Sequence, residues 1–170
     1  CGERIDVIDV SETDFGGQRG LLISREVFRE LFLPGFRRLN EWIHRHTGWK
    51  VFYHSCGAVA EYIPDLLDNG IDILNPVQCS AAGMDPQRLK DAYGERLVFW
   101  GGGVDTQDIL PHGTPDEVQA HVRKQMSILS PVGGFPFVNV DESLGTGIRL
   151  GYRLLGASLT TGRLLYNKTY

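Results

Sequence analysis

Residues 54–57 read His54-Ser55-Cys56-Gly57, placing an imidazole and a thiol two positions apart directly behind the apolar run Val51-Phe52-Tyr53. Imidazole nitrogen and thiolate sulfur are both good zinc ligands, and a catalytic zinc takes about three protein ligands with one position left for substrate. A second thiol, Cys79, follows another short apolar run. The same residues have a plainer reading: a buried turn in which cysteine packs as a small hydrophobe and histidine bonds a carbonyl. Polar groups recur at equivalent places, with Asp14 and Gln18 behind the first such run, Gln78 and Cys79 behind the third, and Asp105 and Gln107 behind the fourth. Asp14 could equally satisfy the amides of its own loop. Asp105 and Gln107 follow Gly101-Gly102-Gly103, where the backbone either approaches a ligand closely or makes a tight turn. Trp100 ends the fourth run, as core packing or as the wall of a cavity for a flat ligand.

The elements that would position these residues alternate. Residues 4–11 are β-branched and read as a strand, followed by a polar loop over 12–20. Ser24 is placed to N-cap a helix whose apolar face is Phe28, Phe32, Phe36, Leu39 and Ile43, and Pro34 should kink or divide it. Residues 50–54 form the second strand, and Val59, Ile63, Leu66 and Leu67 mark a helical face stopped by Asn69-Gly70. Residues 72–77 are a third strand, and Asp85-Pro86 opens a helix ending at Gly94. Residues 96–103 are a fourth strand, apolar on both faces. Thr114-Pro115-Asp116-Glu117 is a capping box that starts a helix through Val118, Val122, Met126 and Leu129, and residues 134–140 are a fifth strand. His44, His46 and His121 fall on helices and are expected to be solvated.

Such alternation implies a parallel sheet with right-handed crossovers, either doubly wound or part of a (β/α)8 barrel. In both, ligands bind at the carboxyl ends of the strands, which is where the residues above gather. Five strands are too few to close a barrel, whose usual length is about 250 residues. The 170 residues are 42% hydrophobic and 22% charged with net charge −4. No basic run exceeds two residues, so nucleic acid is not an expected partner. No stretch approaches the ~20 apolar residues of a membrane span, and no signal peptide is read at the start. Three cysteines, an odd number without framework spacing, suggest a reducing, cytoplasmic setting. The first residue is Cys1 rather than Met, so a piece of a longer reading frame is expected. Residues 143–170 carry no acidic residue and four basic ones, read as an atypical, out-of-frame or foreign tail behind a domain spanning 1–142.

The runs DVIDVSETDFGGQRGLLIS, VFYHSCGAVAEYIPDLLDNGIDILNPVQCSAAGMDPQRLKDAYGERLVFWGGGVDTQDILPHGTPDEV and GGFPFVN together resemble the C-terminal half of the uroporphyrinogen decarboxylase superfamily over residues 5–139. That resemblance implies a partial (β/α)8 TIM barrel, about the last four to five β/α units, with the site at its C-terminal mouth. It is closest to the corrinoid-linked methyltransferase branch, in which a His-x-Cys…Cys motif binds zinc and activates a thiol for methyl transfer. His54 and Cys56 match its first part. The resemblance places the remaining cysteine near residues 138–142, where this chain has Val138-Asn139-Val140-Asp141-Glu142. Cys79, Asp141 or Glu142 would have to substitute. The expected metal ligands are thus His54, Cys56 and Cys79; the expected catalytic residues are Asp14, Gln18 and Asp105; Gln78, Trp100 and Gln107 are expected to line the cofactor side.

Under this reading the cofactors are zinc and a corrinoid carried by a partner protein, and the substrate is a small molecule. The alternatives are a porphyrin-pathway decarboxylase acting on a tetrapyrrole without metal, or an inactive half-barrel. The unpaired edges of strands 4–11 and 134–140 predict a dimer.

Overall fold

The computed structural model describes residues 5–131. Four strands, β1 (Val7–Asp9), β2 (Lys50–His54), β3 (Ile73–Asn75) and β4 (Val98–Phe99), form one sheet in the order β1-β2-β3-β4. Each neighbouring pair is parallel, with Val7 opposite Lys50, Phe52 opposite Ile73 and Ile73 opposite Val98. Helices α1 (Arg25–Leu31) and α2 (Leu33–His46) follow β1, α3 (Ile63–Asp68) follows β2, α4 (Pro86–Tyr93) follows β3, and α5 (Ile109–His112) and α6 (Pro115–Leu129) follow β4. These are four successive β/α units of a partial barrel. The expected strand at 134–140, Asp141, Glu142 and the 143–170 tail lie outside the described residues.

Local chemistry accounts for most boundaries. Ser24 caps α1 by accepting from the Val27 amide, and Pro34 falls in the first turn of α2, so the long helical run is divided at Phe32. Asp85 caps α4 through the Arg88 amide, and the Thr114–Glu117 capping box opens α6. The strands are shorter than 4–11, 72–77 and 96–103. Pro76 has no amide to extend the β3 ladder, and Gly101 and Gly102, at φ +103° and +83°, turn the chain out of the sheet after β4.

The core lies between sheet and helices. Val51, Tyr53, Leu74 and Phe99 are buried from the strands, and the ring of Phe28 on α1 stacks on Tyr62 at 4.2 Å with Phe15 edge-on at 5.1 Å. Two buried or half-buried carboxylates tie helices to this core. Asp65 on α3, 5% exposed, is gripped by Arg25 and Arg29 of α1. Asp72 accepts from the Val51 amide, His44 of α2 and Lys50.

Burial works to raise both carboxyls, but the hydrogen bonds and neighbouring cations outweigh it and hold them below the usual carboxylate range. A depressed folded-state pKa stabilises the fold above the unfolded value of about 4 and loses that stabilisation as pH falls through the folded value. Stability in urea is therefore expected to hold from neutral pH down to about pH 5 and to fall below about pH 4. An Asp65→Asn variant should be weaker at neutral pH and show a flatter acid limb.

His44 and His46 are exposed, but His121 is not solvated as expected. It is half-buried, and its Nε2 accepts from the Asp105 amide at 3.2 Å and faces the Gln125 amide nitrogen at 3.0 Å. Burial lowers its pKa, so it serves as a neutral hydrogen-bonding post between α6 and the loop after β4.

Candidate metal centre

β2 ends at His54, where the chain turns through Cys56 into Gly57 at φ +84°. The loop after β1 lies against this turn, backbone to backbone. Ala58 donates to the Gly17 carbonyl at 2.8 Å, and a Cβ on Gly57 would sit 2.4 Å from the Gly16 carbonyl. Ser55, wholly buried, accepts from the Phe15 amide at 2.9 Å and donates its own amide to the Asn75 carbonyl at 2.8 Å. Ser11 accepts from the His54 amide. The two loops are thereby fixed relative to each other before any ligand is considered.

Three donors converge in this setting. The Cys56 Sγ is 3.6 Å from His54 Nε2, and the same nitrogen is 3.6 Å from Asp14 Oδ1. Asp14 is held there because its carboxylate accepts from the Cys56 amide at 2.7 Å. One ligand atom from each of Asp14, His54 and Cys56 lies within 4.8 Å of the others. With metal–ligand bonds of 2.0–2.3 Å, a tetrahedral zinc separates its sulfur and nitrogen ligands by about 3.6 Å and its nitrogen and oxygen ligands by about 3.4 Å. The observed spacings fit that geometry, and the donor types suit zinc.

Behind His54 stands a second layer. Nδ1 is 2.6 Å from Asn75 Oδ1, and the Asn75 amide nitrogen donates to the Trp100 carbonyl at 2.8 Å. Gln78 accepts from the Gly57 amide at 2.9 Å and donates to the Gln18 side-chain oxygen at 2.6 Å, while Gln18 donates to the Ser80 carbonyl at 2.8 Å. Gln18 and Gln78, expected to face a ligand, are thus committed to bracing the loops after β1, β2 and β3.

The remaining expected residues sit elsewhere. Cys79 is outside the group of three; burial first, and Asp105 second, push its thiol up to about 11. Asp105 accepts from the Gln107 amide at 2.8 Å, the tight-turn alternative, and Gln107 is exposed. The half-buried Trp100 ring packs edge-on against Phe52 at 5.5 Å. Asp14 enters as a donor where the sequence suggested a cavity-lining group. Asn75, Ser55 and Ser11 carried no signal, because a polar residue at a strand end before proline or in a loop reads as punctuation. In front of His54, Asp9, Ser11, Glu12, Thr13 and Asp14 line an open cavity of about 360 Å3.

Residues 8–136 match the family described as Uroporphyrinogen decarboxylase (URO-D). The chain belongs to that family. Over 104 residues this URO-D chain is 30% identical to the Methylated-thiol--coenzyme M methyltransferase of Methanosarcina mazei, a match covering 61% of this chain and 25% of that protein. A solved structure, a methyltransferase from Methanosarcina mazei, superposes with a TM-score of 0.53 at 20% identity, covering 72% of this chain and 33% of that one. At that identity the likeness speaks for the fold, and it agrees with a partial URO-D barrel. The chain spans about a quarter of the length of the curated relative. Among the described residues, no helix is long and apolar enough to cross a membrane.

Proposed function

We propose that this chain is part of a corrinoid-linked methyltransferase in which His54, Cys56 and Asp14 hold zinc and a thiol is the methyl acceptor or donor. The observation that carries the reading is the convergence of imidazole, thiol and carboxylate at the carboxyl end of β2, at separations suited to a tetrahedral ion. The name of the 30%-identical relative, which pairs a methylated thiol with coenzyme M, supports it. Asp14 takes the place of the cysteine that the methyltransferase pattern expects. Three protein ligands would leave one position for substrate, and Ser11, Glu12 and Thr13 line the cavity that His54 and Asp14 border.

Zinc bound there would lower the pKa of a coordinated thiol, so that a thiolate is present at neutral pH. The chain's own residues do the positioning: Gln78 and Gln18 hold the Cys56–Gly57 turn, and the Cys56 amide orients Asp14. The corrinoid would come on a partner protein, and a cytoplasmic setting is in keeping with the thiol ligand. The exposed edge of β1 would be covered by the rest of a barrel or by a second copy.

A decarboxylase reading needs no metal, and His54 and Cys56 would then be a hydrogen-bonded pair in a turn. Metal content by elemental mass spectrometry separates the two, on the full chain beside His54→Ala/Cys56→Ala and Asp14→Ala variants checked for fold by circular dichroism. Near-stoichiometric zinc, lost in the double variant and reduced in Asp14→Ala, is expected. Absence of zinc after reconstitution would overturn the methyltransferase reading and favour the decarboxylase branch.

A further inference from the structure

The identity of the atoms around Asn75 follows from one contact. The Trp100 carbonyl can only accept, so the group 2.8 Å from it must be the Asn75 amide nitrogen. The Asn75 carbonyl oxygen is therefore the atom turned to His54 Nδ1 at 2.6 Å, and since it too can only accept, Nδ1 must carry a proton. Asn75 is 2% exposed, and its place on β3 is fixed by pairing with His54 in the ladder. In the neutral ring a proton on Nδ1 leaves the lone pair on Nε2, the nitrogen that faces Cys56 Sγ and Asp14 Oδ1 at 3.6 Å each.

We infer that Asn75 is a positioning residue that fixes the tautomer and ring orientation of His54, delivering Nε2 as the ligand atom of the candidate centre. The relay starts at the Trp100 carbonyl behind β4, passes through Asn75 on β3 and ends at His54 on β2. Three adjacent strands thus set the direction of one lone pair. The consequence for metal affinity rests on the zinc reading above, whereas the tautomer does not. Groups in this outer position characteristically change metal affinity by about 10–100-fold when removed.

The test uses the full chain labelled with 15N, in wild-type, Asn75→Leu and Asn75→Asp forms. Imidazole nitrogen shifts in the metal-free protein report the tautomer, and titration with cobalt(II) alone, followed by its visible absorption, reports affinity and ligand set. Asn75→Leu has a similar volume but no acceptor, while Asn75→Asp keeps the acceptor for Nδ1–H and so serves as the conservative rescue. The expected wild-type result is a protonated Nδ1 and a bare Nε2. Asn75→Leu should lose that preference and bind cobalt(II) about 10–100-fold more weakly, with the native amide fingerprint kept. Asn75→Asp should restore the tautomer.

A proton found on Nε2 of the neutral wild-type ring would overturn the inference. So would an Asn75→Leu variant with unchanged tautomer and affinity. A wild-type chain with the Nδ1–H tautomer that binds no cobalt(II) would sink the zinc reading and leave the relay standing, so the two failures are distinguishable.

Discussion

Gly57→Ala is expected to lower the urea midpoint sharply and to abolish the zinc binding proposed for His54, Cys56 and Asp14. Two independent costs fall on one methyl group. At φ +84° an L-residue takes up the left-handed conformation, which costs about 1–2 kcal/mol. The new Cβ would also lie 2.4 Å from the carbonyl carbon and oxygen of Gly16, which are backbone atoms and cannot swing aside as a side chain could. Relieving that overlap must part the loops after β1 and β2, at a further cost of about 1–3 kcal/mol. Because Asp14 comes from one loop and Cys56 from the other, parting them separates the donors as well as weakening the fold. Gly48→Ala, where a Cβ meets nothing within 4 Å, is the matched control and should leave both measurements unchanged. An unaltered midpoint and zinc content in Gly57→Ala would refute the close approach of the two loops.

Phe28→Ala should produce the largest purely structural loss, about 3–5 kcal/mol in the urea midpoint extrapolated to water. Phe28 has no exposed surface and lies among four rings, stacked on Tyr62 and Phe32, edge-on to Phe15 and tilted against Phe36. A domain is stable by roughly 5–15 kcal/mol, so such a loss removes a large share of the total. Leu31, on the same helix but 66% exposed, provides the comparison. Its replacement by alanine should stay within about 0.5 kcal/mol. If the two variants melt together, the aromatic cluster is not the anchor of α1.

Much of the architecture was legible because its signals are local. Ser24, Asp85 and the Thr114–Glu117 pair act within one turn of chain, and Pro34 divides its helix by its own covalent geometry. Strand lengths were less legible, since pairing ends where Pro76 and Gly101-Gly102 interrupt it, not where hydrophobicity fades. The His54–Cys56 pair could be read for the same reason that caps can: its members are two residues apart. Asn75 could not, because its role exists only once β2, β3 and β4 lie side by side. Asp14 was picked out as chemistry-bearing, but its placement beside His54 depends on a contact across 40 positions of sequence. His121 looked solvated on its helix because its partner, the Asp105 amide, lies 16 positions back, in the loop after β4.

β1 pairs with β2 over only three residues and has no strand on its other side among the described residues, yet Ser11 and Asp14 hang from it. Local opening of an edge segment requires less free energy than global unfolding, as amide hydrogen exchange measures it. The donor cluster therefore persists only as long as this edge stays docked. Anything that covers β1, whether further barrel strands or another chain, lengthens the residence of Asp14 beside His54 without touching either residue. The integrity of the candidate metal centre is in this way coupled to what lies on the far side of an edge strand.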